Sequence, residues 1–245
     1  MLGLVTARGG SKGFPGKNLA RLAGRPLVCW SHRALAGLRD RRLGLVVRLS
    51  TDCESIAGAW PEGDRPGDLR PAALARDAAT SLSVVEHELE RLAGRGEPCD
   101  AVLLVQPTCP LVTAADLDAL WRGFEDSGGF EGNGSAVLAA ELDHPHAWSF
   151  TANGRGRVEP IGAWGTARRQ DESAGLRPIG CYMVSAGFLR EHGAFVVPGE
   201  TAVVEIPRAR AVDIDEAGDL EIAAAVMRRA SGERGIVIRS GSVEK

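Results

Sequence analysis

The sequence predicts an α/β fold with a doubly wound, mostly parallel sheet. Two observations carry this. Short apolar runs alternate with segments of helical periodicity through the first 125 or so residues, and the first run ends in a glycine-rich loop immediately before a helix. Strand, crossover helix and strand in repetition is the pattern of a parallel sheet covered on both faces. A length of 245 residues accommodates one large α/β domain with a substantial core. We read residues 1–230 as that domain, 128–200 as an inserted region within it, and 231–245 as a mobile tail.

The elements follow in order. Leu2 to Thr6 is a short apolar run suited to a buried strand. Pro26 to Leu38 is apolar-periodic, with Pro26 placed for the first helical position. Gly44 to Ser50 reads as a strand, Thr80 to Leu92 as a helix, Ala101 to Val105 as a strand and Ala114 to Phe124 as a helix. From Gly128 the texture changes to a Gly-rich stretch and short strand-like pieces at Ser135 to Ala140, Arg157 to Ile161 and Gly180 to Ser185. Ala202 to Ile206 and Ala211 to Ile214 read again as strands, and Glu216 to Ala230 as a final helix. The tail is polar apart from Ile236, Val237 and Ile238, which predicts mobility.

Composition narrows the function. The chain is 44% hydrophobic and 25% charged with a formal net charge of -3, which excludes disorder and gives no basic footprint for nucleic acid. The five cysteines include no CxxC pair, so neither a disulfide framework nor a zinc knuckle is expected. No run reaches the length of a membrane span, and the N-terminus turns polar by Arg8, so a cytoplasmic protein without membrane partners is expected. Arginine supplies all but three of the 29 basic residues, and two of the three lysines, Lys12 and Lys17, fall in the first glycine loop.

That loop runs Ala7-Arg8-Gly9-Gly10-Ser11-Lys12-Gly13-Phe14-Pro15-Gly16-Lys17-Asn18. In open α/β sheets, ligands bind at the carboxyl ends of the strands, and glycines let backbone N–H groups approach phosphate oxygens. A nucleoside triphosphate is the natural ligand. The loop is neither a Walker A motif, since Ser11 precedes Gly16 by five and Asn18 follows Lys17, nor GxGxxG.

Asp213 and Asp215 flank Ile214 on an expected strand, which puts both carboxylates on one face. Mg²⁺ suits such a pair when phosphate oxygens complete its shell; an N-cap role for Asp215 is the alternative. Asp219 reads as a first-turn helix residue. His144 and His146 lack a nearby third ligand and read as loop residues. Cys109 has no partner base in its local sequence and is not read as a nucleophile.

The loop resembles that of the acylneuraminate cytidylyltransferase family, and the likeness continues in order through Ser50-Thr51-Asp52, Arg70-Pro71 with Leu74-Ala75 and Asp77, Ser81, His87, Gln106-Pro107-Thr108-Cys109-Pro110-Leu111, His144-Pro145, Arg169-Gln170, Tyr182, Asp213-Ile214-Asp215 and Asp219-Leu220. The resemblance implies a Rossmann-like nucleotidyltransferase sheet with an inserted dimerisation arm, hence a homodimer. It implies a Mg²⁺-dependent transfer of CMP from CTP to a small anionic acceptor, with pyrophosphate released. Ala7, Arg8, Gly9, Gly10, Ser11, Lys17 and Asn18 would hold the triphosphate; Arg70 and Ser81 would place the cytidine. Gln106, Tyr182 and Arg168 or Arg169 would meet the acceptor. Arg8, Lys17 and the metal-holding Asp213 and Asp215 would carry catalysis. Departures fall at Val112, where the family usually has arginine, at Ala147, and in Ile179-Gly180-Cys181-Tyr182. A sialic-type (nonulosonic) acid or a non-standard acceptor such as a small phosphonate is therefore expected; use of another nucleotide, or silent nucleotide binding, is the alternative.

Overall fold

The computed structural model describes residues 1–142, 144, 149–161 and 175–230. Strand β1 (Leu2–Thr6) is followed by a two-stranded ribbon, β2 (Arg21–Leu22) and β3 (Arg25–Pro26), then β4 (Val46–Ser50), β5 (Ala101–Val105), β6 (Ser135–Glu141), a ribbon of β7 (Phe150–Ala152) and β8 (Val158–Pro160), β9 (Leu176–Ser185) and β10 (Ala202–Glu205). Six of these form one sheet in the order β10-β6-β9-β5-β1-β4. β1 pairs parallel with both β4 and β5, and β10 with β6. β9 alone opposes, antiparallel to β5 and to β6. The sheet is mostly parallel, as the alternation predicts.

Side-chain alternation explains why it is wound on both faces. Every residue of β5 is buried. Leu103 and Val105 point into a core with Leu35 and Leu38 of α1 (Val28–Arg39) and Leu117, Leu120 and Phe124 of α4 (Ala114–Asp126). Val102 and Leu104 point the other way, against Val85 and Leu92 of α3 (Ser81–Gly94) and Phe188 and Leu189 of α5 (Ala186–His192). Complete burial of each such Leu or Phe stabilises by about 1.5–3 kcal/mol. A third cluster joins Leu22, Leu27, Leu111 and Ile214 to Ala223 of α6 (Ala217–Ala230). No described helix is long and apolar enough to cross a membrane.

Four sequence expectations change. Pro26 does not open α1; it closes the β2–β3 ribbon opposite Arg21, and the helix begins at Val28. A short helix, α2 (Glu54–Ala59), and α5 go unpredicted because six and seven residues are too few to establish a period. The region 128–200 divides: β6 and β9 lie inside the sheet, and of its described residues β7 and β8 form a separate ribbon. Finally, residues 211–214 form no strand. After β10, Ile206 N–H donates to Ala139 O beside β6 (2.9 Å). Arg177 at the start of β9 then donates to Ala211 O (2.6 Å), and Ile214 N–H donates to Thr108 O beyond β5 (2.8 Å). The chain thus crosses the sheet's carboxyl edge from β6 to β5, where no ladder is open to it. The tail 231–245 and the residues Trp148, Trp164 and His146 lie outside the described residues.

α4 is fixed at its start by a capping box, in which Thr113 and Asp116 exchange side-chain-to-backbone hydrogen bonds. The buried Asp116 also pairs with Arg210 (2.6 Å). Burial pushes its carboxyl pKa up, but bonds from Arg210 and Thr113 outweigh this and hold it below the usual value. A depressed folded value means the contribution to stability is present above the unfolded value of about 3.9 and is lost as pH falls through the folded one. Asp116→Asn should cost about 2 kcal/mol in denaturant unfolding at pH 7. The difference from wild type should shrink as pH falls through the Asp116 titration, and a pH-independent difference would contradict the assignment.

Candidate active site

Parallel strands ending at one edge leave their loops together, and here those loops enclose a cleft of about 550 Å³. One wall is the glycine loop after β1, from Arg8 to Asn18; another is Gln106, Pro107 and Thr108 after β5. Arg70, Leu74, Arg76, Asp77 and the start of α3 form the third side, and Asp215 and Glu216 the fourth. Five cations (Arg8, Lys12, Lys17, Arg70, Arg76) face three carboxylates (Asp77, Asp215, Glu216), so the cleft favours an anion.

The loop is shaped by its own contacts. Asn18 is buried and its amide donates to Arg8 O (2.9 Å), drawing the two ends of the loop together. Gly16 takes φ +73, a conformation open to glycine at little cost, and lets the chain turn into the short helical turn Lys17–Leu19. Gly9 N–H donates to Asp52 Oδ1 (2.9 Å). Across the cleft, Asp77 receives Arg8 (2.8 Å) on one carboxylate oxygen and Lys12 (2.5 Å) on the other. Those two bonds, Lys12 first, hold the Asp77 carboxyl below its usual pKa.

Arg70 is the buried cation, 7% exposed. Burial pushes its guanidinium pKa down against the opposing pull of Asp52 and Glu88. Its Nε has no hydrogen-bond partner among the described residues. A buried donor left unpaired costs free energy that a ligand acceptor would recover. Beside it, the Gln106 amide donates to Ser81 Oγ (3.2 Å), and Gln106 N–H donates to Gly180 O (3.0 Å).

The acidic segment closes the site. Lys17 Nζ donates to Ile214 O (2.8 Å) and Asp215 Oδ1 (3.1 Å). Asp213 Oδ1 is buried without a partner. Asp219 Oδ2 accepts from both Asp215 N–H and Glu216 N–H (2.8 Å each), so it is Asp219 that caps the start of α6, which leaves the Asp215 carboxylate out of the capping role. No group of three His, Cys, Asp or Glu side chains capable of holding a metal occurs among the described residues. Two carboxylates, one of them with an orphaned buried oxygen, nevertheless fit a Mg²⁺ ion whose shell is completed by phosphate and water.

The family model described as "Cytidylyltransferase" matches residues 2–133. The pseudaminic acid cytidylyltransferase of Campylobacter jejuni is 31% identical over 227 residues, covering 90% of this chain and 93% of that one. The chain belongs to the cytidylyltransferase family. N-acylneuraminate cytidylyltransferase A of Danio rerio is 28% identical over 215 residues, covering 86% of this chain and 47% of that one. Among solved structures, a CMP:2-keto-3-deoxy-manno-octonic acid synthetase complexed with CTP superposes with a TM-score of 0.64 at 16% identity, covering 94% of this chain and 98% of that one; it shares the fold.

In this cytidylyltransferase the structure gathers most of the residues expected at the nucleotide, together with one expected at the acceptor, Gln106, and one at the metal, Asp215. Arg8, Ser11, Lys17, Asn18, Arg70, Ser81, Gln106 and Asp215 all line the cleft. Ala7, Gly9 and Gly10 do not: Ala7 is buried in the core, and Gly9 packs on Cys53. Asp213 does not line the cleft, and its Oδ1 is buried. Tyr182 stacks on Phe195 (5.2 Å between ring centres) beside the α3/α5 core, and burial raises its hydroxyl pKa; it does not line this cleft. Arg168 and Arg169 lie outside the described residues.

Four charged cleft residues, Lys12, Arg76, Asp77 and Glu216, were not assigned to the site from sequence. Lys12 was visible as one of two lysines in the loop, and Asp77 as part of the resemblance, but their pairing across 65 residues is visible only in space; Arg76 carried no signal. Val112 is buried under α6 and lines an apolar groove there, so this departure sits in packing, away from the cleft. Cys109 is buried, and the Cys181 thiol is pushed well above its ordinary range by the hydrogen bond it donates to Cys109 and by burial. Both are unsuited to nucleophilic work.

Gly180 is the one cleft-side glycine whose substitution meets both conformation and space. Its φ is +42, and a Cβ there would come 2.7 Å from Gln106 Oε1 and 3.2 Å from Cys109 Sγ. Gly180→Ala should cost about 1–3 kcal/mol in unfolding free energy and lower kcat/KM by displacing the Gln106 side chain. Wild-type stability with wild-type kinetics would show that the Gln106 wall tolerates the intrusion.

Proposed function

We propose that this cytidylyltransferase is Mg²⁺-dependent and transfers CMP from CTP to a sialic-type (nonulosonic) acid, releasing pyrophosphate. The observation that carries the reading is the cleft itself, where a cationic glycine loop and buried Arg70 face an acidic segment with an orphaned carboxylate oxygen. Transfer of a nucleotidyl group needs positioning and charge stabilisation more than covalent chemistry.

In this reading the glycine loop, with Arg8, Ser11, Lys17 and Asn18, takes the triphosphate, and Arg8 exchanges Asp77 for phosphate oxygens. Arg70 and Ser81, both on the cleft wall, place the cytidine. Gln106, held by Ser81, faces the acceptor, and Arg168 or Arg169 supplies a planar fork for its carboxylate. An acceptor oxygen attacks the α-phosphorus in line, the α–β phosphoanhydride bond breaks, and pyrophosphate leaves. Asp213 and Asp215 would hold Mg²⁺, which when bound supplies Lewis-acid stabilisation of the phosphate charge. The acceptor class is favoured by likeness to the pseudaminic acid enzyme along nine-tenths of the chain. A homodimer is part of the same reading, with the exposed Phe150, Val158 and Ile161 of the β7–β8 ribbon offering apolar surface.

Pyrophosphate release should appear with CTP and a sialic-type acid, and not with ATP, GTP or UTP; simple phosphonates form the comparison arm. Absence of CTP-dependent release with every acceptor would overturn the reading. Asp213→Asn should lower kcat by about 100-fold or more while the CTP dissociation constant moves by less than about threefold. Little change in either quantity would mark a nucleotide-binding protein without this catalysis.

A further inference from the structure

Under the cytidylyl-transfer reading above, on which this rests, we propose that Arg76 binds the outer phosphates of CTP, the part of the nucleotide that leaves as pyrophosphate. Four of the five cations that line the cleft have partners within the protein. Arg8 and Lys12 take the two oxygens of Asp77. Lys17 donates to Ile214 O and Asp215 Oδ1. Arg70 is buried, with Asp52 3.7 Å away. The fifth is Arg76, an exposed residue whose guanidinium makes no hydrogen bond or ion pair among the described residues. Its five N–H donors are all free for a ligand.

The surrounding chain holds the backbone of Arg76 while leaving its side chain uncommitted. Residues Ala72–Ala75 form a short helical turn that ends at Arg76. Ala79 N–H donates to Arg76 O (3.0 Å), closing the bend that leads towards α3. Arg8 Nη1 donates to Ala75 O (3.5 Å) before Arg76 and to Asp77 Oδ1 (2.8 Å) after it. Arg76 is thus bracketed in the chain by the contacts of a residue from the glycine loop, and Lys12 of the same loop reaches the other oxygen of Asp77. Arg8, Lys12 and Arg76 set three positive charges against the one carboxylate of Asp77 on this wall. Gln106, the residue for the acceptor, bonds elsewhere, to Ser81 and Gly180. The excess positive charge therefore lies on the triphosphate side. When the α–β phosphoanhydride bond breaks, its electron pair stays on the bridging oxygen and negative charge grows on the departing pyrophosphate, where a cation stabilises the transition state. A planar fork takes two phosphate oxygens at once.

Calorimetric titration of the full chain with CTP and with CMP, Mg²⁺ present in both, reads the contact, because CMP lacks the two outer phosphates. Arg76→Gln should weaken CTP by about 5–20-fold, as for the loss of one charge-assisted contact at an exposed position, and leave CMP within about twofold of wild type. Arg76→Lys keeps the charge without the fork, and an intermediate loss for CTP alone is expected. In turnover the Gln variant should show a raised KM for CTP and an unchanged KM for the acceptor. Equal losses for CMP and CTP would assign Arg76 to the cytidine or α-phosphate and overturn the proposal. A raised acceptor KM with CTP binding unchanged would overturn it in favour of the acceptor carboxylate, and wild-type values throughout would overturn it outright. Wild-type protein that binds CTP but releases no pyrophosphate with any acceptor would instead overturn the transfer reading, with the contrast between CTP and CMP still deciding whether Arg76 meets the outer phosphates.

Discussion

The parallel pairing of β1 between β4 and β5 is the constraint on which the rest depends. Because these strands share one direction, every loop that leaves them emerges at the same edge, and the backbone groups of those loops have no ladder to enter. The glycine loop answers by bonding to itself through Asn18 and to the β4 side through Asp52. The acidic segment answers by crossing the edge and bonding to each neighbour in turn, accepting from Arg177, donating to Thr108 O and accepting from Lys17. The site is a consequence of backbone groups seeking partners where the sheet stops providing them.

Much of this was legible in the sequence, for a physical reason. Buried parallel strands read as continuous apolar runs, as in Ala101 to Val105, and their boundaries are sharp because glycine and proline follow. Thr113 and Asp116 are the expected capping pair before an apolar period. What the sequence concealed depends on distant partners. Ala211 to Ile214 has the composition of a strand, yet a strand needs a neighbour with open hydrogen-bonding groups, and none lies along its path. The expectation that Asp213 and Asp215 share a strand face failed with that strand; they are held instead on either side of the Ile214 anchor. Asp77 and Arg70 were present as motif letters, but a pairing with Arg8 and an unpartnered Nε cannot be read from spacing. Tyr182, taken from resemblance for the acceptor side, packs on Phe195 beside the α3/α5 core, a contact that spacing does not reveal.

Electrostatics then divides the cleft into groups that move and groups that stay. Exposed ion pairs contribute little net free energy in water, so the bonds from Arg8 and Lys12 to Asp77 order those side chains without committing them. A more highly charged anion would offer the same cations more oxygens than the single carboxylate of Asp77 does. Arg70 cannot respond in that way, because it is buried, its backbone N–H is bonded to Thr51 O (2.7 Å), and Asp52 stands 3.7 Å away. Lys17 is likewise committed to the acidic segment. The cleft therefore combines inner cations held by the fold with an outer rim whose charges are lightly held.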